Sequence, residues 1–292
     1  MAITRRYGNL PDRVPSLSKF LGKGHKRQVE GLFNKGGSPL PARGDVPPLD
    51  PHLRGQIVKR SVVEVDGERW ERLNIRTHVI LAGEDIVEVV LFYTLPHLQP
   101  HDLIFISEKA VAGSQGRAIP VKEIQPGRLA RFLASKVRPV PWGYGLSKPE
   151  TMEMAIREAG VCRILLAASV HAVTRLFGRK GDFYRIAGQR VTSIDGPDEP
   201  TAPPYDQCVT LMPLHSDDIC RQLVQRVRRW KGPHFPVEAA IVDVNDLGSV
   251  VLGASQGVHR KKLARILADN PLGQGPYITP IGILRRAPEE TP

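Results

Sequence analysis

The chain has 292 residues, a net charge of +11 and a hydrophobic fraction of 41%. That length supports a buried core in one large domain or two modest ones. No apolar run approaches the ~18 residues of a membrane span, and the N-terminus lacks an apolar signal region, so we expect neither a membrane partner nor secretion. Three cysteines without close spacing predict reduced core thiols in a cytoplasmic protein.

The basic charge is concentrated at the N-terminus. The first 60 residues contain twelve Lys or Arg and four Asp or Glu, a net charge of +8. Residues 1–55 are interrupted by Pro and Gly and have no sustained period, which predicts a largely disordered or peripheral leader. We interpret it as a solvated arm, with a polyanion contact as the alternative. Apart from such contacts we do not expect nucleic acid as a partner.

Residues 56–292 are predicted to form the folded part, with a division into two subdomains left open. Its first segment alternates in polarity and turns at Asp66-Gly67, which indicates a hairpin. "HDLIFISEKAV" then reads as a buried strand that leads into a polar loop. Helices are predicted over 126–136 and 149–159, the second with Pro149 in its first turn and Gly160 just beyond its end.

Further along, "VCRILLAAS" reads as another buried strand and "FYRIAGQRVTSID" as a strand pair. Ser216 is predicted to cap a helix, whose apolar stripe consists of Ile219, Leu223, Val227 and Trp230. A strand over 237–246, the strand "SVVLGAS" and a helix near 257–269 follow. Because strands and helices alternate without a steady βαβ rhythm, the pattern favours an α+β fold with mixed or antiparallel sheets.

The strand that begins at Val237 is apolar at first but ends in Asp243, Asn245 and Asp246. Buried charge is costly unless it is neutralised, so we expect something cationic at this strand end. Alternation along the strand places Asp243 and Asn245 on one side. Dense oxygen donors suit Mg²⁺ or Mn²⁺ better than zinc. The alternative is a turn in which these side chains bond their own backbone before Gly248.

A second acidic residue, Asp195, follows Ile194 and precedes a turn at Gly196-Pro197. Two strand ends that both present carboxylates are what a shared dication site requires. Here too the alternative is a simple turn residue.

Two glycine-containing stretches could bind phosphate. The first holds Lys109 and Arg117, and the second holds Arg179 and Lys180. Small residues allow backbone N–H groups to approach an anion that the cations neutralise. Neither stretch is a Walker A loop, so basic surface loops remain the alternative.

Several motifs together resemble the coenzyme F420-0:L-glutamate ligase family. "HDLIFISEKAVAGSQGRAIPVKEIQP" is similar to its early strand, lysine loop and Glu-Gly-Arg turn, with Gln115 in place of Glu. "SIDGPDEP" is similar to its Gly-Ile-Asp segment, "VTLMPLHSDDICRQL" to its helix entry, and "AIVDVNDLG" to its Asp-Thr-Phe-Gly strand end. The resemblance covers residues 75 to 292.

This resemblance implies an α+β fold, a homodimer, and amide formation between a carboxylate acceptor and L-glutamate, with GTP (or ATP) as cosubstrate and Mg²⁺ or Mn²⁺. It further implies that Asp195 is a metal ligand, that Asn245 and Asp246 take the places of two others, and that Lys109 lies in the loop that approaches the nucleotide. Asp243 or Asp246 could restore the charge that Asn245 lacks.

The chain also departs from the family pattern. The Ser-Asn pair that follows Gly-Ile-Asp in the family is missing here, where "GPDEPTAPPYDQ" intervenes. One alternative function is the same chemistry on another acceptor, such as a folate or a cell-wall precursor. The other is an inactive protein that binds a nucleotide or polyanion.

Overall fold

Eight strands are present in the computed structural model, which describes residues 56–138, 145–179, 181–197, 201, 204–245, 248–273 and 278–288. The strands are Ile57–Val65 (β1), Glu68–Ile75 (β2), Asp102–Ser107 (β3), Ala118–Pro120 (β4), Cys208–Thr210 (β5), Val237–Asn245 (β6), Gly248–Ala254 (β7) and Ile281–Arg286 (β8). Six form a mixed sheet in the order β1-β2-β8-β3-β6-β7, and β4 pairs separately with β5. Only β3 and β6 pair in parallel among these strands.

Nine α-helices accompany the strands within these described ranges. They are Ile86–Thr94 (α1), Glu108–Ser114 (α2), Arg128–Ala134 (α3), Pro149–Ala159 (α4), Val161–Leu176 (α5), Asp182–Ala187 (α6), Gln189–Thr192 (α7), Ser216–Lys231 (α8) and Arg260–Ile266 (α9). Short 3₁₀ turns occupy Val121–Glu123, Gly145–Ser147 and Tyr205–Gln207. Helices and a mixed sheet together make an α+β protein, as the sequence predicts.

Helices cover both faces of the large sheet. On one face, α1 and α8 pack against side chains such as Ile241. On the other face, α9 packs against side chains such as Val242. Successive residues of β6 therefore point into different cores, so this predicted strand is buried on both faces. A third core lies among α3 to α7 and the small β4-β5 sheet.

Local signals located several elements correctly. The hairpin turns at Asp66 (φ 56°) and Gly67 (φ 74°), both in the left-handed region that a tight two-residue turn requires. Helix α4 spans the predicted 149–159, starts at Pro149 and ends before Gly160. The predicted helices over 126–136 and 257–269 are present as the shorter α3 and α9.

The two strand predictions in the middle of the chain are wrong. Residues 161–169 belong to α5, in which Ile164 and Ala167 are buried three positions apart, as one face of a helix requires. Residues 183–195 include most of α6 and all of α7, and Gly188 (φ 94°) separates the two helices. A continuous apolar run has no period that distinguishes a buried strand from a helix, which explains the error at residues 161–169.

Smaller corrections concern individual side chains. The predicted polar loop after β3 is helix α2. Ser216 begins α8, but its side chain does not cap the helix, and its Oγ has no hydrogen-bond partner among the described residues. Trp230 is 67% exposed and lies outside the apolar stripe of α8. All three cysteines are unpaired, but Cys162 is exposed, not in the core.

The leader, residues 1–55, lies outside the described ranges, so its disorder stays a prediction. In the described part, no single helix is long and apolar enough to cross a membrane. Helices α4 and α5 meet that requirement only as a pair, bent by 114°.

Candidate active site

Two parallel strands bring carboxyl groups to one edge of the sheet. Strands β3 and β6 are in register from Asp102 opposite Val237 to Ser107 opposite Val242. The next residues along the two strands are Glu108 and Asp243. Since parallel strands run in the same direction, both carboxyl groups lie at the same edge.

Glu108 is the buried member of this group. It is 5% exposed, and its Oε1 has no hydrogen-bond partner among the described residues. Burial raises the pKa of Glu108 well above its usual range, the carboxylates of Asp243 and Asp195 raise it further, and Lys109 opposes the increase. The position thus disfavours additional negative charge and favours a proton or a cation.

The pKa of Asp243 is raised by the same kinds of cause as that of Glu108, but by less. Burial raises its pKa, Asp195 adds to the increase, and both Lys109 and a side-chain hydrogen bond with Asn245 lower it. The hydrogen bond shows that Asp243 and Asn245 lie on one side of β6, as strand alternation predicts. Asp246 lies outside the described residues.

Asp195 reaches this group from a different part of the chain. Its backbone forms an isolated antiparallel bridge with Thr210, through N–H···O distances of 3.0 and 2.8 Å. The side chain is about half exposed, and its carboxylate lies 3.4 Å from the Lys109 ammonium group. It is therefore a bridge next to β5, and not the end of a longer strand, that positions Asp195.

Lys109 is the cation that interacts with these carboxyl groups. Besides its ion pair with Asp195, it donates a hydrogen bond of 3.1 Å to Thr201 Oγ1. Its charge also lowers the pKa values of Glu108 and Asp243. The expected cation at the end of β6 is thus provided by the chain itself, through the first turn of α2.

The donor chemistry of this carboxylate cluster (Glu108, Asp195, Asp243 and Asn245) fits Mg²⁺ or Mn²⁺. All four side chains offer hard oxygen donors, and the unpartnered Glu108 Oε1 is a free acceptor. However, the described residues contain no group of three or more His, Cys, Asp or Glu side chains already spaced to hold a metal. In this arrangement the ammonium group of Lys109 is the positive charge that balances the carboxyl groups.

Arg117 has a structural partner. Its guanidinium forms a 2.9 Å ion pair with Glu158 and donates a 2.7 Å hydrogen bond to the Met212 carbonyl. Both charged side chains are largely buried. Arg117 therefore joins α4 to the segment after β5. Its positive charge, which the phosphate-loop interpretation requires for a phosphate, is paired with Glu158 in this structure.

The neighbouring residues of α2 are also used for packing. The Gln115 side chain donates to the Leu214 carbonyl and accepts from the Leu214 N–H, each at 2.8 Å. A Cβ atom on Gly113 would lie 2.7 Å from the Tyr205 hydroxyl oxygen, so close packing requires a glycine there. These contacts assign a packing role to Gly113 and Gln115, and the phosphate-binding role of this stretch stays a prediction.

The second basic stretch is not brought to the cluster by any contact in the described part of the chain. Arg179 pairs with Asp182 at 3.2 Å, at the start of α6. Lys180 lies outside the described residues. The phosphate-binding role of this pair stays a prediction.

Sequence reasoning missed Glu108. Its signal is a carboxylate placed directly after the apolar strand "DLIFIS", just as Asp243 follows "AAIV". Only the parallel pairing of β3 and β6 reveals that these two strand ends are neighbours.

A cavity of about 570 Å³ lies beside the segment that follows β5. Arg163, Arg190 and Arg221 contribute cationic side chains to its walls, which also include Met212. Met212 lies two residues after Thr210, the backbone partner of Asp195. The cavity and the carboxylate cluster thus share one segment of backbone.

Comparison with known proteins assigns this arrangement to a family. No curated protein sequence matches the chain. A family model described as F420-0:Gamma-glutamyl ligase matches residues 74–244, more than half of the chain. The matched region includes Glu108, Lys109, Asp195 and Asp243 and ends immediately before Asn245. The chain therefore belongs to the F420-0:gamma-glutamyl ligase family, and its family supports a role as a glutamate ligase.

Proposed function

We propose that this chain is a nucleotide- and metal-dependent amide ligase. It joins L-glutamate, or a similar amine, to a carboxylate acceptor through an acyl phosphate, with GTP or ATP as the phosphoryl donor. The observation that carries the proposal is the convergence of Glu108, Asp195 and Asp243 on Lys109 in a chain of this ligase family. Such a cluster suits a reaction whose cosubstrate is a cation-bound polyphosphate.

Each residue of the candidate site would have its own role in the proposed reaction. Asp195, Asp243, Asn245 and Asp246 would hold Mg²⁺ or Mn²⁺, which supplies charge neutralisation for the nucleotide phosphates. The ammonium group of Lys109 would stabilise charge on the γ-phosphoryl group while the acceptor carboxylate attacks it and GDP or ADP leaves. An amine then displaces phosphate from the acyl phosphate, which forms the amide bond. These carboxylates act as ligands, so no general acid is assigned.

The cavity supports an anionic acceptor, because its acidic residues Glu158, Asp217 and Asp218 already pair with arginines. Its volume of about 570 Å³ is within the usual range for small-molecule sites. Arg163 and Arg190 line it, and neither has a carboxylate partner among the described residues. A carboxylate acceptor bound in this cavity would lie beside the same backbone segment that positions Asp195.

Two further parts of the proposal concern the protein's state. The family resemblance supports a homodimer, which light scattering of the purified protein measures directly. The three unpaired cysteines support a reducing compartment such as the cytoplasm.

The ligase proposal is tested with purified full-length protein, GTP or ATP, Mg²⁺ or Mn²⁺, L-glutamate and a panel of carboxylate acceptors. We expect release of phosphate only when an acceptor and the amine are present, and an amide product identified by its mass. Asp243→Asn should remove both signals, whereas Asp66→Asn in the distant hairpin turn should retain them. Phosphate release at the same rate with and without acceptor and amine would contradict the proposed ligase activity.

A second candidate is an inactive protein that binds a nucleotide or polyanion. The ion pair between Lys109 and Asp195 favours it, because the chain already neutralises part of its own cluster. The missing Ser-Asn pair after Asp195 points the same way. Saturable nucleotide binding without turnover, across every acceptor tested, is the result that distinguishes this candidate.

A further inference from the structure

Helix α5 exposes an unusual amount of apolar surface. Only Ile164 and Ala167 of its sixteen residues are buried. Half of the large hydrophobic residues that are exposed in the described part of the chain belong to this helix or follow it directly; they are Val161, Leu165, Leu166, Val173, Leu176 and Phe177. Contiguous exposed apolar surface of this kind marks a site of interaction.

The exposure increases toward the end of the helix. Leu176 is 84% exposed and Phe177 is 78% exposed, the largest values for such residues in the described ranges. The chain then turns at Gly178, whose φ is 75°. Two large, highly exposed apolar side chains therefore form the tip of α5.

The charged side chains of α5 itself are all cationic. From Gly160 to Gly178 the sequence contains no Asp or Glu. Arg175 precedes the apolar pair, and Arg179 follows it with a side chain that is 59% exposed although it pairs with Asp182. Cations beside an apolar tip complement the phosphates of an anionic lipid surface.

We propose that α5 docks the protein onto an anionic membrane surface. Leu176 and Phe177 enter the boundary between headgroups and acyl chains, while Arg175 and Arg179 contact the lipid phosphates. A second copy of the chain fits this face less well, because two acid-free faces would bring Arg side chains of the same charge together. The proposal goes beyond the ligase function and does not depend on it.

The test uses the full-length protein and sedimentation with lipid vesicles. We expect binding to vesicles of phosphatidylglycerol and phosphatidylcholine in equal parts, weaker binding as salt is added, and little binding to phosphatidylcholine alone. Leu176→Ser combined with Phe177→Ser should weaken binding about tenfold or more, because it removes the inserted apolar area. The matched control is Val58→Ser with Val62→Ser, two exposed residues of β1, and it should bind as the parent does.

The basic leader is present in every variant, so its own attraction for anionic lipid cancels in the comparison. Arg175→Glu is a second variant that changes only charge, and it should also weaken binding while the melting temperature stays unchanged. Equal vesicle binding by the parent and the Leu176/Phe177 double variant would overturn the proposal. The proposal would also be overturned if the parent does not bind vesicles but forms a dimer that the double variant cannot form. In that case α5 would join two copies of the chain.

Discussion

The ammonium group of Lys109 lies 3.4 Å from a carboxylate oxygen of Asp195. This contact joins the first turn of α2 to the bridge that Asp195 forms with Thr210. The same charge lowers the pKa values of Glu108 and Asp243. One lysine therefore balances three carboxyl groups, and any divalent cation that binds there has to compete with it.

Competition of this kind predicts the effect of Lys109→Met on metal binding. Removing the ammonium group leaves the carboxyl groups without their neighbouring cation, so the affinity for Mn²⁺ without nucleotide should rise about tenfold. The measurement is the increase in melting temperature on titration with Mn²⁺. Lys261→Met, an exposed substitution on α9, serves as the control and should behave as the parent. Equal or weaker metal binding by Lys109→Met would contradict the competition.

The raised pKa of Glu108 predicts how stability depends on pH. The folded protein holds the carboxyl proton of Glu108 more tightly than the unfolded chain does. The contribution of Glu108 to folding stability is therefore fully present below the pKa that this group has in the unfolded chain. It is lost as the pH rises through the folded pKa. Glu108→Gln should remove this loss, so at about pH 8 its free energy of unfolding should exceed that of the parent. At low pH, near the unfolded pKa, this relative gain should disappear.

Urea unfolding of both proteins across the pH range measures the Glu108 effect. Glu64→Gln in β1, whose side chain is exposed, should leave the pH dependence as it is in the parent. Parallel pH profiles for the parent and Glu108→Gln would show that Glu108 does not retain its proton on folding.

Asp243→Asn separates function from stability. The pKa of Asp243 is raised, so its ionised form is unfavourable in the folded protein without metal. Removing that charge should leave the melting temperature unchanged or higher, while ligase turnover should fall at least about a hundredfold if Asp243 is the charged metal ligand that we propose. Steady-state turnover and thermal unfolding measure the two effects. A variant with full activity would remove Asp243 from the proposed metal site.

Gln115→Glu tests the two-way hydrogen bond between α2 and the segment before α8. Glutamate can accept from the Leu214 N–H but cannot donate to the Leu214 carbonyl when it is ionised. We expect the free energy of unfolding to decrease by about 1 kcal/mol, as measured in urea. Gln99→Glu, an exposed change of the same chemical type, should have a much smaller effect. Similar losses in both variants would mean that the Leu214 contact is not the cause.

Local chemistry in the sequence determined many of the elements. Asp66-Gly67 tolerates the left-handed backbone of a tight turn, and Pro149 and Gly160 suit the two ends of a helix. The family motifs were equally readable, because each depends on residues that are close together in the chain. The acidic end of β6 also indicated correctly that a cation should lie nearby.

Only the tertiary structure decided which strand ends are neighbours and which apolar residues are buried. The parallel pairing of β3 with β6 brings Glu108 beside Asp243, although the two residues are far apart in the chain. Likewise, the apolar run at 161–169 looks buried in sequence, yet as part of α5 it keeps only Ile164 and Ala167 in the core. Hydrophobicity records the free energy available from burial, whereas the partner that covers each surface depends on long-range packing.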